Sequence, residues 1–174
     1  MAIISSDIEW RLSGGSANVQ IGNSTGGAMS TDAGGLIPTD TLNNLFESVS
    51  GPDATTGKTH YKCIYIKNAH ATITFIDPKI FISQLTLSTA DEIDIGLDTA
   101  APPGTNTTLT SNGLTDPGSI TWVRPTSATH TDVLAPGNMD AGEQVAIWIR
   151  RTVQAGAGSY PSNTAELTVS GETT

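Results

Sequence analysis

From Thr59 onward the chain is a succession of short runs rich in Ile, Val, Thr, Tyr, Phe and Trp, each closed by a turn signal. Residues of these types suit a pleated, half-buried surface. The runs 61–67, 71–76, 79–88, 92–97, 105–110, 119–123, 144–153 and 165–170 each predict a strand. The breaks between them have known mechanisms: Asn68-Ala69-His70, Asp77-Pro78, Pro102-Pro103-Gly104, Asn112-Gly113, Asp116-Pro117-Gly118, Pro136-Gly137-Asn138 and Ala141-Gly142. Turns roughly 8–12 residues apart, with no long helices between them, predict an all-β fold, an antiparallel β-sandwich of Ig-like or jelly-roll type.

Alternation within the runs predicts the buried faces. Ile73 and Phe75, Ile80 and Ile82, Ile93, Ile95 and Leu97, Ile120 and Trp122, Val145, Ile147 and Ile149, and Leu167 and Val169 each fall two apart. Together they suffice for the core of two packed sheets, and the Thr, Lys, Asp and Glu between them predict wet outer faces.

The first third of the chain differs. Ile8-Glu9-Trp10-Arg11-Leu12 reads as a short half-buried strand. The stretch 13–39, dominated by Gly, Ser, Asn and Thr, has apolar residues too sparse for any face and reads as an extended arm. Leu42, Leu45, Phe46 and Val49 recur at helical spacing, predicting a short helix over 40–50, capped by Thr39 or Asp40 and stopped by Ser50-Gly51-Pro52. One domain spanning 1–174, with the arm at 13–39 and the helix at 40–50, is the expected organisation, and a chain of 174 residues is long enough to bury a core without staples.

Charge narrows the function classes. Eight Lys and Arg stand against seventeen Asp and Glu, for a net charge of -9. A surface built to neutralise phosphates concentrates Lys and Arg, so nucleic acid is not an expected partner. No stretch approaches the roughly 20 apolar residues of a membrane helix, so no membrane role is expected, and the acid at Asp7 interrupts any export signal. The lone Cys63 lies in an apolar run and is expected to be a buried hydrophobe.

Chemistry-bearing patterns are sparse. Gly22-Asn23-Ser24-Thr25-Gly26 has the spacing of a nucleophile elbow, without the preceding strand and following helix that strain the turn. Gly51 to Thr59 ends in Gly-Lys-Thr like a phosphate loop, but its first glycine is one position too early, and it reads as a solvated turn. His60, His70 and His130 are widely spaced and do not form a zinc pattern. Asp91, Glu92, Asp94 and Asp98 form an acid cluster in which Glu92 and Asp94 share a strand face; it reads as solvated, without the ligand spacing of a calcium loop. No catalytic residue, cofactor or metal is expected. Arg150-Arg151 is the one basic doublet; on a strand the two point to opposite faces, one free to pair internally and one to meet a partner.

The segments DIEWRLSGG, LNNLFESVSG, HYKCIYIKNAHATITFIDPKIFI, DEIDIGLD and APGNMDAGEQVAIWIRRTVQAGAGSY, in that order, resemble a family of small virion structural proteins of tailed bacteriophages over most of the chain. The resemblance implies a non-enzymatic β-sandwich subunit made in the bacterial cytoplasm and carried on the virion. In its first form it decorates or cements the head as a homo-oligomer, with the major capsid protein and copies of itself as partners. The alternative it implies is a tail, collar or baseplate module that binds a host surface glycan or acts as an adaptor. Trp10, Met29, Leu36, Ile37, Arg150 and Arg151 are the expected interface residues, with 13–39 and 99–112 as the contacting segments.

Overall fold

The structure is a computed structural model that describes residues 2–14, 24–38, 41, 43–159 and 163–173. In chain order its elements are β1 (Ile8–Leu12), α1 (Gly51–Thr56), β2 (Lys58–Asn68), β3 (Phe75–Gln84), β4 (Asp91–Leu97), β5 (Gln144–Val153) and β6 (Glu166–Thr173). Single 3-10 turns at Ser5–Asp7 and Ala33–Gly35 add little helix, and the chain is all-β. One antiparallel sheet runs β1-β2-β5-β4, and a second pairs β3 with β6.

The period-two alternation explains the core. Ile64 and Ile66 on β2 stand opposite Ile147 and Val145 on β5. These side chains meet Ile93 and Ile95 of β4, Phe75, Ile80 and Ile82 of β3, and Leu134 and Met139 in one buried cluster. Fully burying a side chain such as Ile80 or Ile147 contributes about 1.5–3 kcal/mol each.

The opposite face of the four-stranded sheet is not wet as expected. Cys63, Tyr65, Ala146 and Trp148 are buried there beneath Met29, Leu109, Ile120 and Trp122. The covering segments do not form the strands predicted at 105–110 and 119–123. They contribute only the single bridges Gly26 to Thr110 and Ile95 to Val123. Their apolar residues are spent on the sheet face, so an alternating sequence is satisfied without a ladder. Gly96 makes the close approach possible, because a Cβ there would overlap the Ile120 side chain and lie 2.7 Å from the Thr121 carbonyl oxygen.

The strands predicted at 71–76 and 79–88 are instead one strand, β3, with a bulge. Its register to β6 shifts between Ile76 and Lys79, and Asp77 adopts φ 47°. Proline lacks the N–H that a ladder would need, and the Asp77 N–H is taken up by Asn138 Oδ1 at 3.0 Å, so Asp77-Pro78 bends the strand without ending it.

The helix is displaced too. Residues 43–46 bend and 47–50 are irregular, whereas α1 begins where the expected helix was to stop. Ser50 is its N-cap, accepting from the Asp53 N–H at 3.2 Å, with Pro52 in the first turn. Serine followed by proline thus acts as a start signal. The apolar stripe still serves the core, since Leu45 and Phe46 pack against it from irregular chain.

The described part of the expected arm folds onto its own domain. The N–H groups of Gly14, Ser30 and Ile37 donate to the carbonyls of Ala28, Leu12 and Trp10, so residues 28–37 lie along the free edge of β1. Such cover prevents the edge from pairing with another chain.

Candidate functional site

Of the expected interface residues, Trp10 and Ile37 are half-buried against the main core, and Met29 against the smaller cluster. Leu36 is the exception, 43% exposed on the segment covering β1. The 99–112 segment is pinned inward by Thr107, whose hydroxyl donates to buried Asp98 and whose N–H donates to the Tyr65 hydroxyl at 3.0 Å. That hydroxyl donates in turn to the Gly27 carbonyl at 2.6 Å. Thr107 and Gly27 are thereby joined through one phenol.

Arg150 and Arg151 do project to opposite faces, and both are paired within the chain. Arg150 Nη2 lies 2.9 Å from Asp94 Oδ2, with its guanidinium 5.0 Å from the centre of the Trp122 ring. Asp94 Oδ1 meanwhile accepts from Arg124 Nε at 2.9 Å, and Arg124 Nη1 reaches Glu92 at 3.0 Å. Glu92 and Asp94 share a face as expected, and Arg124 holds the Glu92 carboxyl below its ordinary pKa. Arg151 meets Asp91 through Nε at 2.9 Å and Nη2 at 2.6 Å, and donates to the Glu47 carbonyl at 2.8 Å. Three of the four acids are therefore paired with arginines and the fourth, Asp98, with the Thr107 hydroxyl, and Asp91, Asp94 and Asp98 are buried rather than solvated as expected. Among the described residues, no group of three or more His, Cys, Asp or Glu side chains is placed to hold a metal ion, and no helix is long and apolar enough to cross a membrane.

Ser24 is wholly buried; its hydroxyl donates to the Cys63 carbonyl at 2.5 Å and accepts from the Ser13 N–H at 3.0 Å. Those bonds make it a clamp between β1 and β2. Cys63 is buried as expected, and burial pushes its thiol pKa up. The Gly-Lys-Thr segment runs from α1 into β2, the reverse of a phosphate loop, with Lys58 Nζ 3.0 Å from Asp53. The His70 ring accepts from the N–H groups of Thr72 and Ile73, closing a turn.

The sequence reading did not foresee an open cleft of about 400 Å³ between β2 and the 43–49 segment. Lys58, His60 and Lys62 reach it from one face of β2, Arg151 from the neighbouring β5, and Leu45, Phe46, Val49 and Leu114 form apolar walls. His60 and Phe46 meet edge to face, with ring centres 6.5 Å apart. Burial, with the charges of Lys58 and Arg151, holds the His60 pKa below its ordinary value. Burial also lowers that of Lys62. The i, i+2, i+4 spacing of Lys58, His60 and Lys62 was the available signal; what closes the cleft comes from distant segments.

Comparison with protein families, with curated proteins and with solved structures found no match to this chain.

Proposed function

We propose that the chain is a non-enzymatic structural protein of a tailed-bacteriophage virion, a decoration or cement subunit whose two sheets pack as a β-sandwich on the head surface. The observation that carries this reading is the burial of the four-stranded sheet on both faces. A sheet enclosed in this way is a rigid body, and rigidity is what a subunit that stabilises a shell by contact area requires. Side chains with chemical potential, Ser24, Arg124, Arg150 and Arg151 among them, are engaged in holding that body together. Apolar side chains remain for contacts: Leu36, Leu85, Leu87 and Leu114 are between 43% and 69% exposed. The resemblance of the five sequence segments supplies the virion setting.

The glycan-binding alternative is less well supported. Sugar stacking needs an open aromatic face, whereas Trp122 carries Arg150 over its ring and has Tyr61 beside it at 5.7 Å.

Deleting 13–39 would remove the Ser24 clamp and the cover of β1, so point variants are the better test. Leu36→Asp and Leu87→Asp should keep the wild-type fold while weakening co-sedimentation with emptied, expanded heads. Co-sedimentation of the wild type with tails and not heads would transfer the protein to the adaptor class.

A further inference from the structure

We propose that the outer edge of β6 is a docking site for an extended segment of a partner protein, which adds as a further strand and carries Lys or Arg opposite Glu166 and Glu172. The inference is independent of the virion reading. Among the described residues, the other sheet edges are covered. Residues 28–37 lie along β1, and Val123 exchanges two main-chain hydrogen bonds with Ile95 of β4, each 2.9 Å. Leu134, Met139 and Pro125 bond to Ile80, Phe75 and Ile82 on the edge of β3 away from β6. No such segment bonds to the outer edge of β6.

The parity of the ladder fixes which main-chain groups are open. Phe75, Ile80 and Ile82 turn their N–H groups away from β6, so the bonds to β6 come from Ile76, Lys79 and Phe81, opposite Glu172, Ser170 and Thr168. The peptide groups of Leu167, Val169 and Gly171 therefore face outward, without a partner among the described residues. An open row of donors and acceptors at every second residue is a template for one more strand.

Charge identifies the occupant. Glu166 and Glu172 stand at the two ends of this row, on the face that also carries Thr168 and Ser170, and both are exposed and without an ion pair among the described residues. Lys79, the cation across from Ser170, is held by Asp77 at 2.6 Å. Edges are blunted by charges that point inward, whereas these two acids lie on the outer face and leave the middle of the row open. Two carboxylates about 20 Å apart along one strand face match an added strand with a cation opposite each. A second copy of this chain, at net charge -9 and with no Lys or Arg on β6, brings no such cation. On the other face Leu167 and Val169 pack against the main core, so the alternate residues of the added strand are apolar.

The probe is the capped peptide Lys-Val-Thr-Val-Thr-Val-Lys, whose sequence reads alike in both directions and so sets a lysine against each glutamate whichever way it runs. Its comparison arm has Glu in place of both Lys. Calorimetry should show saturable binding of the lysine peptide, and hydrogen exchange should slow at the Leu167 and Val169 amides. Glu166→Lys combined with Glu172→Lys should weaken that binding roughly tenfold and let the glutamate peptide bind instead. Val169→Pro removes an outward N–H that bonds nothing, so it should keep the far-ultraviolet spectrum and lose the peptide. Absence of saturable binding, equal binding of the two peptides to the wild type, or slowed exchange only away from β6 would overturn the proposal. Dimerisation of the wild type in sedimentation, abolished by Val169→Pro, would give the edge to a second copy and overturn the basic partner.

Discussion

Ser24 and Cys63 bond to each other in both directions: the Ser24 hydroxyl donates to the Cys63 carbonyl, and the Cys63 N–H donates to the Ser24 carbonyl at 2.8 Å. A serine in a catalytic-looking pattern is thus the fastening of a glycine-rich segment to the second strand. Ser24→Ala leaves the buried Cys63 carbonyl and Ser13 N–H without that partner, and an unsatisfied buried group costs about 1–3 kcal/mol. The free energy of unfolding should fall by that amount, seen as a lower urea midpoint with an unchanged slope; an unaltered midpoint would contradict the clamp.

Gly26 and Gly27 separate strain from collision. Both have positive φ, +102° and +76°, but a Cβ on Gly26 would overlap the Leu109 carbonyl and lie 2.9 Å from the Trp148 ring, whereas one on Gly27 meets nothing within 4 Å. Gly27→Ala should therefore cost about 1 kcal/mol of backbone strain, and Gly26→Ala clearly more. Equal losses in thermal unfolding would mean that the segment does not sit tightly on Trp148.

The ion pairs should rank by burial. Asp91 and Arg151 side chains are 8% and 14% exposed, so Asp91→Asn should cost about 2–3 kcal/mol, somewhat below a fully buried pair. Glu92 and Arg124 are about one-third exposed, so Glu92→Gln should cost under about 1 kcal/mol and less still in high salt. The reverse ranking in denaturant unfolding would refute this electrostatic account.

His60 gives a pH dependence of definite sign. Its folded pKa lies below the ordinary 6.5 because of burial first, then the charges of Lys58 and Arg151. The unfolded chain therefore binds the proton more readily, and stability present above about pH 6.5 is lost as pH falls through that value toward the folded pKa. His60→Gln should flatten the decline in urea midpoint between about pH 7 and 5.5. A variant with the wild-type slope would place the lost stability elsewhere. Asp53 and Glu92, whose pKa values are depressed, add their own losses at more acidic pH.

How far the fold was legible depended on whether a signal was local. The bounds of β1 and β5 follow from alternation alone, since Val145, Ile147 and Ile149 face one cluster while Ala146 and Trp148 face another. Alternation also misled: Ile120 and Trp122 satisfy it by lying over Gly96 and Trp148, a relation between segments that periodicity does not report. Ser50-Gly51-Pro52 was ambiguous, because the same residues that stop one helix cap the next. At the expected interface, the internal pairing of Arg150 and Arg151 needed only the register of β4 on β5. The cleft needed the meeting of β2 with 43–49 and 112–114, which no local pattern encodes.

The central claim is most directly tested by cryo-electron microscopy of phage heads incubated with the protein. The account predicts ordered density in many copies on the capsid surface, with Leu36 or Leu87 at a contact. Density in a few copies at the tail or collar, or no association with the particle, would contradict it.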